Sequence, residues 1–211
     1  MKKIILIFTI CLYTFTGSSQ ELFKYIGEVK AGTYTYKKYD DGYNNEYYIH
    51  NKNNFIEDLD AKYKGGEHVK VEITNRAFLE NLINVYVYPV IKNLIPGFKE
   101  IHNEMSVVMA SDMDGNIKEV YFSYPKNWNI PITAIEEIEK AVRSGKMTLK
   151  FQKNNYFLRE ALYVFQAAVF GKNYFQKQLD AENSSNNNNN NNNSGSSNTS
   201  GDQGEGVIQV P

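Results

Sequence analysis

The chain has 211 residues and a mass of 24.3 kDa, which suits one domain at roughly 100–200 residues each. Its 23 basic and 24 acidic side chains leave a net charge of −1, and this excludes the basic footprint of a nucleic-acid binder. A mean hydropathy of −0.51, with no apolar run near the roughly 18 residues of a membrane span, excludes a multi-spanning membrane protein; 42% hydrophobic and 14% aromatic residues supply a core.

Residues 1–19 read as a secretory signal peptide. Lys2 and Lys3 form the charged start, Ile4 to Tyr13 the apolar stretch, and Thr16, Gly17, Ser18 and Ser19 the small, polar cleavage region. Cleavage there leaves Ser19 or Gln20 as the new N-terminus, with no membrane span in the mature chain. Cys11 is the single cysteine and lies within the apolar stretch, preceded by Phe8-Thr9-Ile10 rather than a small-residue lipoprotein box. The mature chain therefore has no lipid anchor on cysteine, no disulfide and no thiolate chemistry. The expected location is the periplasm or the exterior.

Residues 20–179 read as a single α+β domain. Thr33-Tyr34-Thr35-Tyr36 alternates in the manner of a strand, Asp40-Asp41-Gly42 signals a turn, and Glu46 to His50 reads as the returning strand. Gly65-Gly66 marks another turn. Val69, Val71 and Ile73 then share one face of a half-buried strand. Asn75 is positioned to cap a helix carrying Phe78, Leu79, Leu82, Ile83 and Tyr86, which Pro89 interrupts near Val87 before a second turn and a stop at Pro96-Gly97.

Met105 to Gln152 is the clearest stretch. Met105, Val107 and Met109 alternate, Asp114-Gly115 sits between this run and Val120, Phe122 and Tyr124, and the spacing predicts a hairpin. Thr133 and Glu136 have capping-box spacing. Ile135, Ile138 and Val142 line the helix that follows, with Gly145 at its end, and Met147, Leu149 and Phe151 alternate as a third strand. The order resembles the C-terminal domain of TonB-like proteins, through the turn Met113-Asp114-Gly115-Asn116, the strand Lys118 to Phe122, the helix from Ala134 and the strand ending in Phe151. It is also similar to a segment in small uncharacterised secreted proteins of Gram-negative gut-type bacteria. The resemblance implies a β-β-α-β core within an antiparallel sheet packed on two or three helices, and implies nothing about energy transduction.

Asn155 is positioned to cap a last helix, with Leu158, Leu162, Phe165 and Val169 on one stripe and Gly171 at its stop. From Asp180 to Pro211 the chain is rich in Asn, Ser and Gly, with Asn186 to Asn193 unbroken, and reads as a disordered tail. The closing Gly206-Val207-Ile208-Gln209-Val210-Pro211 is apolar again and reads as a frayed terminus, with a short docked strand as the alternative.

No nucleotide-binding, metalloprotease or serine-hydrolase motif is present. Ser111 to Gly115 superficially resembles a calcium loop, but Ala110 and Tyr121 would fall where that loop needs its outer carboxylates. His50, His68 and His102 form no paired motif, and Glu136, Glu137 and Glu139 read as a solvated helix start. No cofactor or metal is implied and no catalytic residue stands out. The 16 tyrosines are the unusual feature. They serve either as sheet packing or as an aromatic ligand surface, for which Tyr34, Tyr36, Tyr47 and Tyr48 are the candidates. The expected function is a non-catalytic exported module binding an envelope protein, peptide or glycan through its sheet surface or edge. The alternative is a hydrolase working outside the cytoplasm.

Overall fold

The computed structural model describes residues 24–54, 70–99, 103–153 and 163–192. The signal peptide, the Gly65-Gly66 turn, Val69, the Asn155 cap and all residues beyond 192 lie outside these. Among the described residues, eight strands and four α-helices follow in order: β1 (Lys24–Lys30), β2 (Thr35–Asp41), β3 (Glu46–Asn51), β4 (Glu72–Ile73), α1 (Arg76–Tyr86), α2 (Tyr88–Ile91), β5 (Met105–Ser111), β6 (Ile117–Pro125), α3 (Ile132–Val142), β7 (Leu149–Lys150), β8 (Val164–Phe170) and α4 (Lys172–Asn192).

Six strands form one antiparallel sheet in the order β1-β2-β3-β6-β5-β8. Its register pairs Tyr36 with Asn51, Ile49 with Phe122, Phe122 with Val107, and Val107 with Ala168. Because side chains alternate along each strand, these residues share one face. Leu79 and Ile83 of α1, Ile91 of α2, Ile135, Ile138 and Val142 of α3, and Phe175 of α4 are buried with them in one core cluster. The result is an α+β fold with an antiparallel sheet packed on helices. At the α4 end the rings of Phe98 and Trp128 stack at 5.4 Å, and Phe175 meets Trp128 edge-on at 5.4 Å.

The first hairpin and the Met105–Tyr124 hairpin form as the alternation requires. The second turn uses a different geometry from the two-residue one expected. Asp112 N–H donates to the Asn116 carbonyl, Gly115 N–H donates to the Asp112 carbonyl, and of these residues only Gly115 has positive φ, at 86°. The register slips at the Ala110/Ser111 step, so a wider loop with a bulge makes the connection.

Of the three predicted helix caps, the two within the described residues do not form. Asn75 is left-handed at φ 53°, and its side chain donates to the Lys146 carbonyl rather than to the start of α1. Proline 131 precedes α3, Thr133 lies exposed inside the helix, and Glu136 turns away to another partner. The chain does break at Val87, with Pro89 in the first turn of α2, where its missing N–H has no intrahelical acceptor to lose.

The order strand, strand, helix, strand is present over residues 105–152. Its last member, β7, pairs with β4 in a separate two-stranded ribbon. The segment Val164–Phe170, read above as the end of a helix, is a strand instead. All seven of its residues pair with β5, and Val164, Ala168 and Phe170 are buried while Ala167 and Val169 are exposed. The helix lies after it. Helix α4 crosses the boundary expected at Asp180, and Glu182 accepts from Tyr88 Oη at 2.6 Å and Lys92 Nζ at 3.1 Å.

Candidate functional site

Tyr34 and Tyr36 share a face, but it is the inner one. Tyr36 has no exposed surface, and its hydroxyl donates to Glu139 Oε2 at 2.7 Å. A ligand cannot reach it, so Tyr36 is removed from the candidate surface. Tyr34 is half-buried edge-on to Tyr36, and Lys140 Nζ lies 5.8 Å from its ring centre. Tyr47 meets Tyr124 edge-on while Lys38 Nζ sits 3.4 Å above its ring. Stacking on a glycan needs an open ring face, and at Tyr47 a lysine holds that place. Tyr48 points the other way, beside Tyr39 and Ser123 in the register, and is half-buried. Burial, followed by Glu46 and Asp41, pushes its phenol up to about 12. The structure therefore does not gather the four tyrosines into one platform.

A polar cluster lies beneath Tyr36 that the sequence reading placed in solvent. Glu136 and Glu139 are buried, and only Glu137 of the three is exposed. Glu139 accepts from Tyr36 Oη, from Asn51 Nδ2 at 3.3 Å and from Arg143 Nη1 at 3.0 Å. Arg143 also lies 3.8 Å from Glu119 Oε2, an atom with no hydrogen-bond partner among the described residues. One arginine thus faces two buried carboxylates. Burial, with repulsion from Glu139, pushes the Glu119 carboxyl up to about 7 against the pull of Arg143. Glu136 behaves in the opposite way. It accepts from the Thr33 amide at 2.7 Å and pairs with Lys140 at 2.6 Å, and these donors outweigh burial to hold it at about 2. The periodicity did contain the signal, since Glu139 falls one turn after Ile135 on the stripe that includes Ile138 and Val142.

Chemically, Glu119 is a carboxyl that exchanges its proton near neutrality. It is nearly closed to solvent, and Glu139 has no exposed surface. Asp112 of the calcium-like loop is consumed by its own turn, accepting from the Asp114 and Asn116 amides at 2.9 Å each. Among the described residues no cluster of His, Cys, Asp or Glu is placed to hold a metal, and no helix is long and apolar enough to cross a membrane. His50 stacks on Tyr39 with ring centres 5.5 Å apart, and His68 and His102 lie outside the described residues.

The two edges of the sheet differ. Strand β1 carries Lys24, Glu28 and Lys30, is bulged between Tyr25 and Gly27, and is exposed along most of its length. Charges and bulges are the devices that deter an incoming strand. Strand β8, Val-Phe-Gln-Ala-Ala-Val-Phe, has no charge, no proline and an unbroken seven-residue register with β5. Among the described residues no strand pairs its outer edge. Val169 is 44% exposed there, and Ala167 is exposed beside it.

No family model matches the chain, and no curated protein matches it. Among solved structures it is similar to the crystal structure of a DUF5043 family protein from Bacteroides uniformis, at 17% identity and a TM-score of 0.49, over 71% of this chain and 87% of that one.

Proposed function

We propose that this is an exported, non-catalytic interaction module that takes up an extended segment of an envelope protein or peptide along the outer edge of β8. The uncharged, unbulged β8 edge carries this reading. An added strand gains main-chain hydrogen bonds along the edge, and the exposed Val169 and Ala167 give its side chains an apolar row to meet. The signal-peptide pattern of residues 1–19 supports export. The hydrolase alternative would draw on Glu119 and Glu139, which are 5% and 0% exposed and so closed to a substrate.

The test has two parts. Mass spectrometry of the protein from its producing cell should find an N-terminus near Ser19 or Gln20; Met1 there would overturn export. Cross-linking of the mature protein to envelope extract should map the captured partner to residues 164–170. Cross-links confined to β1 or to the helical layer would overturn the edge assignment.

A further inference from the structure

We infer that in the free protein the outer edge of β8 pairs with the β8 of a second copy of this chain, antiparallel about a two-fold axis at Ala167. This rests on the strand-addition reading above and names what the edge holds before another partner arrives.

The sequence of β8 complements itself. A two-fold axis at Ala167 sets Val164 opposite Phe170, Phe165 opposite Val169, Gln166 opposite Ala168, and Ala167 opposite its own copy, so all seven residues find a partner. The faces agree as well. Val164, Ala168 and Phe170 are buried on the side that the helices cover, while Ala167 and Val169 are exposed on the other. Each pair therefore joins residues of one face, as residues directly opposed in an antiparallel ladder must. Moving the axis by half a residue would set every inner residue against an outer one.

The outer row gains from the pairing. Val169 is 44% exposed in one copy, and in this register it meets Phe165 of the other, an aromatic opposite a β-branched residue. At the axis stand two alanines, small enough for the strands to close. Strand β1, at the other end of the sheet, fails the same operation. An axis at Gly27 sets Lys24 against Lys30, like charge against like, on a strand already bulged between Tyr25 and Gly27. Pairing through β8 joins the two sheets into one and leaves a β1 at each outer end. The assembly thus closes at two copies instead of growing strand by strand.

The second copy and an incoming strand use the same main-chain groups of β8, so each excludes the other. The apparent affinity of a partner for this edge then falls as the concentration of the protein rises.

Sedimentation velocity of the mature protein over a concentration series tests this, with Ala167→Lys, Ala167→Glu and an equal mixture of the two. Ala167 is exposed, so either charge is tolerated by the single copy, and thermal midpoints check that both variants fold like wild type. Wild type should pass from one chain mass to two as concentration rises. Each variant alone places like charges opposite each other at the axis and should dimerise roughly tenfold or more weakly, while the mixture sets Lys against Glu and should recover the dimer. A wild type that stays monomeric up to roughly 100 μM overturns the inference. So does a variant that dimerises like wild type, or a mixture that stays monomeric. The cross-linking to envelope extract reads the binding reading separately. A partner mapped to 164–170 beside a monomeric wild type removes the dimer and keeps the binding reading. A dimer that passes the charge test, with partner cross-links elsewhere, keeps the dimer and removes the binding reading.

Discussion

Glu119 and Glu136 set opposite limits on stability as pH changes. The folded state raises Glu119 from its ordinary 4.5 to about 7, so it binds a proton more tightly than the unfolded chain does. Stability from this group is present below pH 4.5 and is lost as pH rises toward 7. Glu136 is lowered from 4.5 to about 2, so its contribution is present above pH 4.5 and is lost as pH falls toward 2. Urea midpoints measured from pH 3 to pH 8 should therefore pass through a maximum, falling on the alkaline side through Glu119. Glu119→Gln should flatten that alkaline slope and leave the acid slope in place; an unchanged slope would remove Glu119 as its source. Tyr36→Phe keeps the ring and deletes one donor to a fully buried carboxylate, and should destabilise by about 1–3 kcal/mol in urea titration. The sequence left Tyr36 between sheet packing and a ligand surface, because a strand's alternation fixes which residues share a face and not which face the helices cover. Glu139 was missed for another reason. Three glutamates near a helix start match a dipole pattern so well that the apolar stripe beside them was given no weight.

At the scale of elements, local signals were readable wherever one period dominated. The Met105–Tyr124 alternation and the Asp-Gly turn gave a hairpin directly. The turn's details depended on a distant strand instead. Gly115 sits with its carbonyl accepting from the Leu149 amide at 2.8 Å, and a Cβ added there would collide with the Leu149 carbonyl. Gly115→Ala should therefore combine positive-φ strain with a steric clash and cost about 3 kcal/mol or more. Thr133→Ala, which the capping-box spacing would make costly, should change stability by less than about 0.5 kcal/mol, because the hydroxyl caps nothing. Thermal or urea unfolding of the two variants side by side separates these accounts. Strand β8 was mistaken for a helix because Leu158, Leu162, Phe165 and Val169 fit a helical stripe while Val164, Ala168 and Phe170 fit a strand, and pairing with β5 decides between the periods.

At the scale of the whole molecule, the α+β class and the antiparallel sheet were legible from element order. The joining of the layers was not, since it depends on contacts far apart in sequence. Phe175 shows this. It closes the aromatic group with Phe98 and Trp128 from a helix that follows the last strand. Phe175→Ala should cost about 3–5 kcal/mol by leaving a cavity beside Phe98 and Trp128, whereas a stability like that of wild type would show that α4 is dispensable to the core.

The sheet edge carries the functional account, and a binding comparison tests it most directly. Affinity for the captured partner would be measured for the mature protein, for Val169→Lys on β8 and for Val29→Lys on β1, with thermal midpoints showing that all three fold alike. Val29 and Val169 are 36% and 44% exposed, so neither lysine has to be buried. A charge beside the β8 edge should weaken binding roughly tenfold or more, and the same change on β1 should have little effect. Undiminished binding by Val169→Lys, or a loss confined to Val29→Lys, would contradict the account.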